Sequence, residues 1–301
     1  MLPSLLLAVA LAQALPQNPS PMSDTTRPHP RVTPYDVPGR RAPLTLGTVY
    51  IAPAFDPGAQ HLLLVHLHGA PWLVEHHVRE HAPQAVLVTV QLGGGSRVYA
   101  DGFSDPSRFR TLVIEARERV SALAGRRIEF DAIALTSFSA GYGGIRSILR
   151  HREHYDLVGA LILADSLHAG YAGDATVPRT ADLPVDLADL DVFNTFAADA
   201  AAGRKWMRVT HSEVYPGTYA STTETADVLL THLGAARSPV LREGPIGMQQ
   251  LSEARRGNFH LAGFAGNSAP DHVDHLYALG EIIGTLDLLE NAKASVPLFL
   301  N

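Results

Sequence analysis

The strongest constraint in this chain is a repeated switch of hydrophobic period. Residues 61–68 (HLLLVHLH), 85–91 (AVLVTVQ), 130–136 (FDAIALT) and 157–164 (LVGALILA) are short, nearly unbroken apolar runs. That is the signature of strands covered on both faces. Residues 44–53 (LTLGTVYIAP), 205–210 and 259–265 (FHLAGFA) read as further strands. Between the runs the apolar period lengthens. Phe109, Leu112, Val113, Ala116, Val120 and Leu123 repeat at helical spacing, preceded by Asp105 as N-cap and Pro106 in the first helical position and closed by Gly125. Helices are also expected over 140–150, 183–201, 223–233 and from about 271 to 289. Strands alternating with helices imply an α/β fold, with a mostly parallel central sheet and helices on both faces.

Composition narrows the function classes. With 301 residues, 46% of them apolar and 18% charged, the chain can bury a large core and is not of the disordered class. A net charge of −6, with basic clusters no longer than pairs such as Arg40-Arg41, Arg126-Arg127 and Arg255-Arg256, argues against a nucleic-acid partner. The lack of cysteine excludes disulfides, thiolate metal sites and a cysteine nucleophile. Residues 1–14 (MLPSLLLAVALAQA) carry a short apolar run ending in a small-x-small pattern, although no Lys or Arg precedes it. They read as a signal peptide, too short to span a bilayer, so the expected location is secreted or periplasmic, with no stable membrane insertion after cleavage. Residues 15–43 hold eight prolines and read as an extended linker, leaving 44–301 as the folded domain.

In open α/β sheets the chemistry sits beyond the carboxyl ends of the strands. No G-x-G-x-x-G follows any strand, and Gly93-Gly94-Gly95 is expected to lack a helix directly after it, so a dinucleotide or phosphate cradle is not expected. Residues 131–144 (DAIALTSFSAGYGG) are more informative. An apolar strand runs into Ser137-Phe138-Ser139-Ala140-Gly141 and then a helix. This resembles the nucleophile elbow of the α/β-hydrolase fold, G-x-S-x-G, with Ser137 in place of the first glycine. Small residues are needed there because the turn is tight and neighbouring backbone lies close.

The resemblance implies a serine hydrolase, in the chain order nucleophile, acid, histidine, with Ser139 as nucleophile. It implies a histidine after the last strand, where His272 sits at a loop–helix junction and His275 one turn further on; His272 is preferred, and Asp271 is read as the helix N-cap. For the acid, relatives use the turn after the strand at 205–210 or the preceding strand end. Glu213 and Glu224 follow the former, and Asp165 stands directly at the latter and is preferred. The oxyanion hole implied is the amide of Ala140 with one from the loop His68-Gly69-Ala70-Pro71-Trp72, where Pro71 has no N–H and Ala70 is preferred over Trp72. The implied activity is that of an esterase acting on a small-molecule or polymeric ester, with no cofactor and no metal. Two other classes stay open. The first is a non-catalytic binding module on the same fold. The second is a metal-dependent hydrolase built on some of the fifteen histidines, of which His66-x-His68 and 271–275 (DHVDH) are the only suggestive groups.

Overall fold

The structure, a computed structural model, describes residues 28–173 and 183–286. The expected leader, the first part of the linker and the end of the last expected helix lie outside these residues. The chain opens with a hairpin, β1 (Arg40–Leu44) and β2 (Gly47–Ile51). Then come β3 (Leu62–Leu67), α1 (Pro71–His81), β4 (Val86–Val90), α2 (Ser96–Gly102) and α3 (Pro106–Ala124). The middle holds β5 (Ala132–Phe138), α4 (Tyr142–Leu149), α5 (Arg152–Leu157) and β6 (Val158–Ala164). After it run α6 (Asp191–Ala201), β7 (Trp206–His211) and α7 (Thr222–Leu233). An edge pair, β8 (Ser238–Glu243) and β9 (Gln249–Arg256), precedes β10 (Phe259–Phe264), α8 (Ala269–Tyr277) and α9 (Leu279–Ile283).

All ten strands join one sheet in the order β1-β2-β4-β3-β5-β6-β7-β10-β9-β8. The central strands β4, β3, β5, β6, β7 and β10 are parallel, and antiparallel pairs flank them on both sides. Alternate residues of β3 show why the strand is apolar throughout. Leu63, Val65 and Leu67 face a core shared with α3, α4 and α6, whereas Leu62 and Leu64 face a second core shared with α1 and α9. The helices therefore cover both faces, and the carboxyl ends of the parallel strands all open on one edge of the sheet. This is the α/β-hydrolase architecture expected from the resemblance.

Several local expectations change. The sheet starts at Arg40, inside the stretch read as linker, and the residues before it lie against the body: Val37 is buried and the Tyr35 ring meets Trp72 edge-on at 6.3 Å. Gly93-Gly94-Gly95 is followed directly by a helix, since Gly95 is the N-cap of α2. Asp271 is not the N-cap of α8. Ser268 is, and Asp271 returns the bond as the third residue of a capping box. The apolar segment at 183–201 makes one 3₁₀ turn at Leu187–Asp189 and is α-helical only from Asp191, where Phe193, Phe196 and Ala197 are buried on the sheet as an ordinary crossover. By contrast, Asp105 caps α3 by accepting the Ser107 N–H, and Gly125 ends it in the left-handed conformation, as the sequence implies.

Gly141 marks the closest approach of α4 to the sheet. A β-carbon there would stand 2.1 Å from the carbonyl oxygen of Leu67 at the end of β3. Backbone cannot yield as a side chain does, so Gly141→Ala should destabilise the protein by about 1–3 kcal/mol. Urea unfolding checks this: the midpoint should fall with the slope unchanged, and an unshifted midpoint would show that the contact is not tight.

Candidate active site

Among the described residues four non-glycine residues have positive φ, and three of them stand directly after adjacent parallel strands: His68 after β3 (+69°), Ser139 after β5 (+47°) and Asp165 after β6 (+45°). Left-handed backbone costs an L-residue energy and persists only where the surroundings enforce it. The enforcement at Ser139 is visible. Phe138 is still extended, and the chain then turns through one 3₁₀ turn, Ser139–Gly141, into α4. Beneath it the buried Ser137 hydroxyl lies 2.7 Å from Ser166 Oγ, and Ser166 Oγ donates to the Ser139 carbonyl at 2.8 Å. Ser139 itself is half-buried.

Asp165 and His272, 107 residues apart in sequence, are in contact. His272 Nδ1–H donates to Asp165 Oδ2 at 2.6 Å. The carboxylate is 1% exposed, and its remaining capacity is taken by the Ser212 N–H (2.9 Å), the Ser212 hydroxyl (2.6 Å) and the Thr222 hydroxyl. Burial pushes the Asp165 carboxyl upward. The imidazoles of His275 and His272 and the bonds from His272 and Ser212 outweigh it and hold the group well below the usual carboxylate range. The bond from Nδ1 leaves Nε2 of His272 as the acceptor of the neutral ring. The ring stacks on Phe138, the residue before Ser139, at 4.6 Å, and its side chain keeps 23% exposure.

The competing residues have other partners. His275 is 1% exposed, with Nδ1 2.8 Å from Thr210 Oγ1 and its ring edge-on to Phe264. Glu213 accepts the Gly266 N–H at 3.2 Å. Glu224 completes the capping box of α7 with Ser221 and accepts the Tyr171 hydroxyl. Ala140 lines, with Ser139, a cavity of about 480 Å³ whose wall includes Gly94, Gly95, His168 and Tyr219. Ala70 sits at the end of β3 as the N-cap of α1, one residue beyond Gly69, whose N–H is taken by Gln91 Oε1 at 2.9 Å. A second cavity, of about 190 Å³, is lined by Val209, Met248, Phe264 and His275 and includes none of Ser139, Asp165 and His272.

Sequence reasoning missed Ser212, Thr222 and His168, which lie in loops and at a helix start with no motif to mark them. It named His68 as part of the oxyanion-hole loop and as a possible metal ligand. Here the His68 ring stacks on Phe138 at 6.0 Å, and its Nδ1 lies 2.9 Å from the Tyr99 hydroxyl. Burial, with His272 nearby, lowers its pKa, which favours a neutral ring. His66 is spent on the His68 carbonyl at 2.6 Å, and burial lowers its pKa to about 3. Among the described residues one group has ligand atoms close enough for a metal: His29, Asp271 and Asp274. Arg31 already donates to Asp274 at 2.8 Å, placing a cation against that carboxylate.

No protein-family model matches the chain, and no curated protein does. Solved structures do. A feruloyl esterase module from Clostridium thermocellum is 13% identical, with a TM-score of 0.42, over 85% of this chain and 95% of that one. An esterase from Thermogutta terrifontis is 14% identical, with a TM-score of 0.44, over 80% of this chain and 89% of that one. A haloalkane dehalogenase loop variant from Bradyrhizobium elkanii is 11% identical, with a TM-score of 0.42, over 87% of this chain and the whole of that one.

Because its native pKa is depressed, Asp165 stabilises the fold as an anion. That contribution is complete above the unfolded carboxylate value of about 3.9 and is lost as the pH falls through the lower native value. Asp165→Asn should therefore be less stable than the parent at neutral pH, and the difference should shrink from about pH 5 downward. Denaturant midpoints across that range are the readout. A gap that widens on acidification would contradict the assignment.

Proposed function

We propose that the protein is a serine hydrolase that cleaves carboxylic esters. The observation that carries this reading is the 2.6 Å bond from His272 to the buried Asp165 at strand ends next to the strained Ser139 turn. Serine attacks an acyl carbon only when a base removes its proton. In this mechanism His272 Nε2 takes the Ser139 proton as Oγ attacks. Asp165 keeps the other nitrogen protonated and stabilises the imidazolium that forms. The amides of Ala140 and Ala70 receive the developing oxyanion. His272 then returns the proton to the leaving alcohol, and a water repeats the sequence in reverse to free the acid. No cofactor enters. His275, Glu213 and Glu224 play no part in proton transfer. A cleaved leader at residues 1–14 and a secreted or periplasmic location complete the proposal. Among the described residues no helix is long and apolar enough to cross a membrane.

Ser139→Ala should lower the turnover of 4-nitrophenyl acetate on the order of 10⁴-fold, with the folded state intact. A fluorophosphonate probe should label the parent on Ser139 and leave the variant unlabelled. An unlabelled but folded parent would favour the binding-module reading, and activity abolished by a chelator would favour a metal hydrolase.

Asp165→Asn and Glu213→Gln separate the candidate acids. The first should cost several orders of magnitude in kcat, because it leaves His272 in the wrong tautomer. The second should stay within a few-fold of the parent. The reverse order would make Glu213 the acid.

A further inference from the structure

The cavity beside Ser139 carries a group that the acyl transfer does not use. His168 lies four residues past the end of β6 and is 8% exposed. Its Nδ1–H donates to the Ala220 carbonyl at 3.1 Å, and the Ala220 N–H donates to the Ala169 carbonyl at 2.9 Å, so the ring is held by a doubly tied backbone. With Nδ1 protonated, Nε2 can only accept. Among the described residues it has no hydrogen-bond partner, although the ring lines the cavity. Burial lowers the His168 pKa, with Asp165 acting in the opposite direction, so the acceptor persists at neutral pH.

Two aromatic rings flank this acceptor. Tyr219 meets the His168 ring edge-on at 5.1 Å, and Tyr142 meets it at 5.5 Å. Tyr142 is steadied by its hydroxyl, which donates to Ser96 Oγ at 3.2 Å. Aromatic rings beside a fixed acceptor suit a ring that carries a hydroxyl. An acceptor that a ligand shuts off from water and leaves unpaired is penalised more than a missing apolar contact, so such a site discriminates strongly against the analogue without the hydroxyl.

We propose that His168, Tyr142 and Tyr219 form the subsite for a hydroxylated ring of the ester, the ring lying against the tyrosines and its hydroxyl donating to His168 Nε2. As a substrate subsite this rests on the hydrolase reading; as a binding site it does not. A phenol and a sugar share the required chemistry, and the experiment distinguishes them.

Equilibrium binding by calorimetry, which needs no turnover, would use two pairs of probes. One is 2-(4-hydroxyphenyl)ethanol against 2-phenylethanol. The other is methyl glucopyranoside against cyclohexylmethanol. In at least one pair the hydroxylated member should bind about tenfold more tightly or better, the worth of one satisfied buried hydrogen bond. The pair that responds names the source. His168→Phe and His168→Leu should erase the preference, and His168→Gln, which keeps an acceptor, should retain part of it. Tyr219→Ala should weaken both members of the responsive pair alike. No preference in either pair, or a preference undiminished in the non-accepting variants, overturns the subsite. Fluorophosphonate labelling read in parallel keeps the two claims apart. Labelling without ring preference sinks the subsite alone, and ring preference without labelling sinks the hydrolase reading and leaves the binding site.

Discussion

A buried carboxylate bonded to an imidazole from the far end of the chain is the interaction on which the site depends. Asp165 is removed from water, a costly position for an anion unless every oxygen is served. Four donors serve it: two from Ser212, one from Thr222 and one from His272. The first three come from the loop after β7 and the first residue of α7. They fix the carboxylate so that the fourth, the His272 ring, meets a rigid acceptor. The ring in turn is clamped from the side by Phe138. One side chain thus links the ends of β5 and β6 with the helix after β10, across the top of β7.

The same strand ends hold the backbone strain. His68, Ser139 and Asp165 share left-handed φ values on three neighbouring strands. Each stands directly after its strand, at the carboxyl edge of the sheet. A packed sheet with apolar faces on both sides supplies the stability against which such strain is stored. Gly141 shows the other side of this economy of space. The turn at Ser139 is so close to the end of β3 that only a hydrogen fits on the α-carbon two residues on, at Gly141.

Much of this fold was legible because its central strands are buried on both faces. Residues in β3, β4, β5 and β6 have almost no choice but to be apolar, so their runs stand out. The edge strands gave no such signal. β1 and β8 are mostly exposed and each holds a proline, Pro43 and Pro239, as edge strands tolerate. They belong to the sheet through pairing partners that no local pattern encodes. α1 was hidden for a different reason, since its histidines, among them the buried His77 bonded to the Leu276 carbonyl, look polar in sequence. At the site, the turn around Ser139 was readable because steric demand restricts which residues fit. The carboxylate that touches His272 was legible only as a preference for Asp165, because Glu213 and Glu224 also follow a strand. One clue was available: Ser221-x-x-Glu224 is a capping box, which commits Glu224 to its own helix. His168 had no signal at all, because its meaning comes from the Ala220 carbonyl and two tyrosines brought to it by the fold.

The contact at the centre of this account is directly observable by proton NMR in water. An imidazole Nδ1–H held 2.6 Å from a buried carboxylate gives a strongly deshielded, slowly exchanging resonance. That resonance should be present in the parent, vanish in His272→Gln and in Asp165→Ala, and survive in His275→Gln. Its absence from the parent, or its loss with His275 and not with His272, would contradict the pairing of Asp165 with His272.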